Sequence, residues 1–260
     1  MAWWQIWLTG LGTVSVVMIV CWVASLIQRD ASLVDRVWGV AFVVAAWSYA
    51  VVADVWTTRT WLALVLVTVW GVRLSVYITW RNWGHGEDKR YVAMRERNPS
   101  SFAIRSLVTI FLLQGLLAWV ISLPLLAATS LASPAELIWL DVVGIVLWLA
   151  GFVFEAGGDW QLSRFLADPA NRGKVMDRGL WRYTRHPNYF GDTVVWWSYF
   201  VLALAVGAWW TALGPVLMTF LIVKVSGVAL TDKGMGSSSR EGYDEYVRRT
   251  NAFFPWFPRS

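Results

Sequence analysis

From Ile6 to Ile27 the chain runs without one charged side chain. Stretches of that kind recur down its length. At 1.5 Å per helical residue, about 20 apolar residues cross the roughly 30 Å hydrocarbon layer of a bilayer. In that layer each backbone N–H and C=O must be satisfied within the protein, which an α-helix does by itself. Composition agrees. The chain is 57% hydrophobic and 15% charged, against about 25% charged for a soluble domain, and its 21 Trp suit the membrane–water interface. An all-α, polytopic membrane protein is expected, with residues 1–260 forming one integral membrane domain.

Seven transmembrane helices are predicted, near residues 6–27, 35–53, 61–80, 103–126, 137–156, 193–208 and 211–230. The last two share one apolar run from Thr193 to Leu230, too long for a single pass, so a tight hairpin is expected near Gly207. The first stretch has no basic residues before it and no small-residue cleavage site after it, which reads as a retained helix rather than a signal peptide. Of the 22 Lys and Arg, all but Arg59, Arg73 and Lys224 fall on one side of this arrangement. The excess of basic residues faces the cytoplasm, which places the N-terminus outside and the C-terminus inside. The segment Asp232 to Gly242, "DKGMGSSSREG", looks flexible.

Several classes of chemistry drop out early. The one cysteine, Cys21, allows no internal disulfide. Two histidines, His85 and His186, with no Cys/His cluster, leave no protein-bound metal site. No glycine-rich fingerprint follows a strand, so neither a Rossmann unit nor a P-loop is present. The formal charge of +5 fits an anionic cofactor or an anionic lipid surface. Nucleic acid is excluded as a partner, because the basic residues sit in short loops between spans.

Three polar constellations stand out. In the third span, Trp70, Arg73, Tyr77 and Arg81 follow spacings of three and four and share a helical face. A lipid-facing guanidinium at Arg73 would cost about 3 kcal/mol, so a partner or polar cavity is expected there. At the inner end of the fifth span, Glu155 and Asp159 stand one turn apart, placed for acid–base work or as counterions for nearby arginines. The adjoining Gly157–Gly158 pair would loosen the helix or admit a ligand. The third is "RYTRHPNYFGD", Arg182 to Asp192. Arg, Asn and Tyr are groups that bind phosphates and ribose hydroxyls. Pro187 fixes φ at the turn and Gly191 permits close backbone packing. An anionic-lipid patch would need neither the Asn188 amide nor the Asp192 carboxylate.

The stretch "GLWRYTRHPNYFGD" resembles the C-terminal signature of the steroid 5α-reductase family. "GDWQLSRFL" and "GYDEYVRRTNAFFPWFP" are similar to it too, while "SLVDRVWG" and "GEDKRY" resemble a large bacterial branch. The reductase-like region is expected over about 137–260. The resemblance implies an NADPH-dependent oxidoreductase in the bacterial inner (cell) membrane, passing a hydride to the C=C bond of a lipophilic, steroid-like enone or other lipid. By matching position it implies that Asn188 and Asp192 meet the nicotinamide or ribose end. Tyr183, Arg185, His186 and Tyr189 would line the same pocket. Asp159, Lys174 and Arg178 would hold ribose and phosphates, with Arg73, Tyr77 and Arg81 as the other wall. Where the family places a catalytic Tyr three residues before the Arg matching Arg73, this chain has Trp70. Trp70, Asp35 and Glu155 are therefore the catalytic candidates. Two readings stay open beside this one. One is a membrane methyltransferase of the isoprenylcysteine type, which uses S-adenosylmethionine. The other is a non-enzymatic lipid-binding protein.

Overall fold

The computed structural model of the chain describes residues 1–236 and 241–259. Among them every regular element is helical, apart from one isolated bridge pairing Lys174 with Glu241. The chain divides into two compact units.

The first unit comprises Met1–Ile138 and Leu202–Leu213. Its helices are α1 (Trp3–Gln28), α2 (Leu33–Ala53), α3 (Thr58–Arg81), the short polar α4 (Lys89–Arg97), α5 (Phe102–Ser106), α6 (Leu113–Ile121) and α7 (Leu123–Ser130). A π-helical stretch, Leu107–Leu112, joins α5 to α6. α1 packs on α2 and α2 on α3, α6 lies along α1, and α7 closes against α2 and α3. Small residues decide how near these helices come, as is usual in lipid, where no hydrophobic force pulls helix to helix. A Cβ added at Gly39 would lie 2.5 Å from the Gly71 carbonyl oxygen, so backbone meets backbone at the α2–α3 crossing. The core is filled by Met18, Phe42, Tyr49, Leu64 and Trp70. Tyr49 Oη reaches Ser122 Oγ at 2.8 Å, satisfying a hydroxyl that burial would otherwise penalise. The expected span 103–126 ends at Ile121. Pro124 then restarts the chain as α7 in the first turn, where its missing N–H costs nothing. Arg59, placed by sequence in an outer loop, is fully buried. Its guanidinium donates to the carbonyls of Pro134 (2.6 Å) and Glu136 (2.8 Å).

The second unit comprises Trp139–Val201 and Gly214–Ser260. α8 (Trp139–Ala167) runs well past the expected end at 156. It is followed by 3-10 turns at Pro169–Asn171 and Gly179–Arg182, then α9 (Pro187–Leu204), α10 (Leu213–Phe220), a π-helical turn (Leu221–Ser226), α11 (Val228–Gly236) and α12 (Tyr243–Arg249). α8 and α9 are antiparallel and meet over glycine. A Cβ on Gly151 would lie 2.7 Å from the Gly191 oxygen, and one on Gly191 would lie 2.5 Å from the Gly151 oxygen and still nearer the Glu155 nitrogen. The close packing expected of Gly191 is therefore present. Gly158, expected to loosen the helix or admit a ligand, instead receives the first residues of α9. A Cβ there would meet Asn188 N and Pro187 Cγ at 3.1 Å, and α8 continues unbroken through it.

Among the described residues, six helical segments are long and apolar enough to cross a membrane: Trp3–Gln28, Leu33–Ala53, Thr58–Arg81, Phe102–Ile121, Trp139–Ala167 and Trp209–Asp232. They are compatible with an integral membrane protein. The expected sixth span, 193–208, corresponds to α9, which starts six residues earlier, at Pro187, and is not among those six. Asn188, Tyr189, Asp192 and Thr193 make its opening turns polar. The expected hairpin is present: α9 ends at Leu204, Gly207 N–H donates to the Leu204 carbonyl at 2.9 Å, and Gly207 takes φ +76°. Of the segment expected to be flexible, Asp232–Gly236 belongs to α11, and residues 237–240 lie outside the described residues.

Candidate functional site

In the second unit the polar turn is built between α8 and α9. The 3-10 turn before it is fastened to α8, because Trp181 Nε1 donates to the Gly158 carbonyl at 3.0 Å and Leu180 N to Gln161 Oε1 at 2.9 Å. Pro187 opens α9, and the first intrahelical bond runs from Phe190 N to His186 O, 3.0 Å. This places Asn188 against α8, where its Nδ2 donates to Asp159 Oδ1 at 3.0 Å. Its Oδ1 takes the Tyr189 N–H at 3.0 Å. Asp159 and Glu155 are 4% and 3% exposed, so the carboxylates one turn apart share a buried face as expected. Farther along the antiparallel seam, seven positions before Glu155 on α8, Trp148 Nε1 donates to Tyr199 Oη at 3.1 Å, and that phenol lies within electrostatic reach of Glu155 and Asp192. The α8–α9 seam is therefore lined with polar pairs in a region otherwise built for lipid. Ionisable groups at such positions are costly and mark functional sites by default.

Arg185 and His186 turn away from that seam. Arg185 Nη2 pairs with Asp232 Oδ2 at 2.7 Å, and His186 Nε2 meets Asp232 Oδ1 at 2.9 Å. Arg185 also donates through Nη1 to the carbonyls of Thr250 (3.1 Å) and Val247 (3.3 Å), and its N–H bonds Asn251 O at 2.9 Å. Thr184 Oγ1 donates to Phe253 O at 2.8 Å, Tyr246 Oη to Trp181 O at 2.6 Å, and Trp256 N to Tyr183 O at 2.9 Å. The C-terminal "GYDEYVRRTNAFFPWFP" is thus a strap laid over the turn. Burial holds the His186 imidazole below its ordinary pKa, outweighing the opposing pull of Asp232. Burial likewise raises the Tyr246 phenol. The π-helical turn and the bend at Gly227 bring α11 round so that Thr231 faces Tyr189 (Oγ1 to Oη, 3.2 Å) and Asp232 faces His186.

The remaining candidates in this unit are exposed. Tyr183 packs edge-on against Phe257, and Lys174 bridges to Glu241. Arg178 sits at the start of the docked 3-10 turn. Arg172, Lys174, Arg178 and Arg182 all face outward with no ion-pair partner among the described residues. Arg182 and Thr184 lie inside the stretch "RYTRHPNYFGD", and Gln161 inside "GDWQLSRFL", but none was singled out as a site residue. Arg172 was visible only as loop charge, and Asp232 only as the first residue of the segment expected to be flexible.

In the first unit, Tyr77 is flanked by two guanidiniums, with Arg73 Cζ 5.2 Å and Arg81 Cζ 5.5 Å from its ring centroid. The shared face read from spacing is therefore a cation–π stack. Trp70 is fully buried, edge-on to Phe42 at 5.8 Å. Asp35 accepts from Tyr91 Oη (2.9 Å) and Arg90 Nη2 (3.0 Å). Tyr91 in turn receives Gln114 Nε2 at 3.4 Å. Glu87 is held by Arg95 at 2.8 Å and accepts from Ala31 N at 2.8 Å. "SLVDRVWG" and "GEDKRY" therefore pair with each other.

Fold and site together define a polytopic helical protein with a polar, strap-bound turn set against buried carboxylates. The chain belongs to the family described as a protein of unknown function (DUF1295), whose profile matches residues 21–250, and this is a steroid 5α-reductase-like family. The chain is similar to an uncharacterised protein of Schizosaccharomyces pombe, 24% identical over 264 residues, covering 91% of this chain and 76% of that protein. It is also similar to a Delta(14)-sterol reductase of Ascobolus immersus, 31% identical over 105 residues, or 35% of this chain and 24% of the reductase. No solved structure matches.

Proposed function

We propose that the protein is a membrane-embedded, NADPH-dependent reductase acting on the C=C bond of a lipophilic enone or other lipid. The observation that carries this is a division of labour in the second unit. An Asn188–Asp159 pair, its carboxylate buried and its amide half-buried, lies at the head of α9. The loop fastened beside it carries four outward cations, Arg172, Lys174, Arg178 and Arg182, none with an ion-pair partner among the described residues. A dinucleotide phosphate needs cations not already neutralised by the protein, together with a fixed amide and carboxylate for its neutral end. Family membership and the similarity to a sterol reductase support the same reading.

When bound, NADPH supplies the hydride. The chain's own contribution is to orient the cofactor, exclude water and polarise the acceptor. Asp159 holds Asn188 in one rotamer, so its amide is set before a ligand arrives. In the first unit, the Arg73–Tyr77–Arg81 stack is proposed as a further anion-facing element. α9 is proposed as a seventh span, with the basic loops and the C-terminus on the cytoplasmic side.

The test is a thermal-shift series on the detergent-purified protein with NADPH, NADH and S-adenosylmethionine. A ligand at 100 times its dissociation constant that binds only the folded form stabilises it by about 2.7 kcal/mol. NADPH is expected to shift the transition, and Asn188→Ala to lose most of that shift. Stabilisation by S-adenosylmethionine alone would make the protein a methyltransferase. Silence from all three in folded protein would leave a lipid-binding protein.

A further inference from the structure

Asn188 is flanked by residues tied to two consecutive positions of α11. Two positions before it, His186 meets Asp232; directly after it, Tyr189 meets Thr231. The His186 and Tyr189 rings stack on each other at 5.4 Å. Asp232 also takes Arg185, whose other nitrogen holds the strap through Val247 and Thr250. A carboxylate offers only acceptors, so a neutral imidazole facing Asp232 through Nε2 must carry its proton there. Its Nδ1 is then a bare lone pair. That atom is buried, with no hydrogen-bond partner among the described residues.

We infer that Asp232 is the positioning residue of the nucleotide site proposed above, a role that rests on that reading. Its two carboxylate oxygens fix His186 as the Nε2–H tautomer and lock Arg185 to the strap. The turn is thereby given a single attitude in which Asn188 meets Asp159. A side chain that carries two charge-assisted bonds from adjacent residues restricts both at once. Removing it releases the turn on the side away from α8 while leaving the α8–α9 glycine contact intact.

The test uses the whole chain in detergent. His85 is exposed, and His85→Gln leaves His186 as the only histidine. In that background, nitrogen-15 labelling of histidine with two-bond nitrogen–proton correlation reads the tautomer directly. The expected result near pH 7 is a neutral ring protonated on Nε2, changing to a tautomer mixture in Asp232→Ala. NADPH affinity is expected to fall about tenfold or more in Asp232→Ala, measured well below its unfolding temperature. The isosteric Asp232→Asn keeps an oxygen for Nε2–H but not the charge for Arg185, so its loss should be smaller. A ring protonated on Nδ1 in the parent, or folded Asp232 variants that bind NADPH as the parent does, would overturn the inference. A parent that binds no NADPH overturns the nucleotide reading itself, and the tautomer measurement still decides whether Asp232 sets His186.

Discussion

Gly191→Ala should damage this protein more than any other single-methyl change on α9. The added Cβ would lie 2.5 Å from the Gly151 oxygen, 2.8 Å from the Glu155 Cα and nearer still to the Glu155 nitrogen. All three are backbone atoms, so no rotamer change relieves the clash, and ordinary contact near 3.4 Å or more requires the helices to separate by about 1 Å. Overpacking of this kind costs about 1–3 kcal/mol. For a chain this size, about 1 kcal/mol corresponds to roughly 2–4 °C in Tm, so a fall of several degrees is expected in a detergent melt. Gly12→Ala is the control, because a Cβ there meets nothing within 4 Å and alanine is the better helix former by about 1 kcal/mol. That variant should melt at the parent temperature or above it. If Gly191→Ala behaves like Gly12→Ala, the α8–α9 seam is not packed backbone to backbone, and the placement of Asn188 against Asp159 loses its foundation.

Two further outcomes are expected. The folded-state pKa of His186 lies below its unfolded value near 6.5, so the unfolded chain takes up the proton first. Its contribution to stability is complete above about pH 6.5 and declines as the pH falls towards the folded pKa; melts between pH 8 and 5.5 should slope downward, and His186→Gln should flatten the slope. Tyr91→Phe removes the 2.9 Å bond to Asp35 and leaves a carboxylate short of one donor. A loss of about 1–3 kcal/mol is expected, read in the same melts, and no loss would show that Arg90 alone satisfies Asp35.

The membrane-crossing helices were largely legible because lipid imposes length and apolarity on each segment separately. The hairpin at Gly207 and the Arg73–Tyr77–Arg81 face follow from local rules of the same kind. The end of α6 at Ile121 was missed because the apolar run continues into α7, and composition does not register a turn inside a hydrophobic run. The start of α9 was placed too late because its opening turns are polar, and hydropathy reads polar helix as loop. The motif at Arg182–Asp192 was visible as a cluster of binding-type side chains, but its internal division was not.

Alone, the sequence determines that this chain is a bundle of apolar helices with its charge gathered in a few loops. Each of those properties is set by neighbours along the chain, through a 3.6-residue period and the thickness of a bilayer. Tertiary structure decides how each polar residue is engaged. Asn188 finds Asp159 because two glycines let α8 and α9 touch. Arg185 and His186, which resemble their neighbours in the motif, are instead held by Asp232, 46 positions on from His186. Spacing in sequence carries no information about such a meeting, because a π-helical turn and a bend at Gly227 must first bring α11 round to the turn.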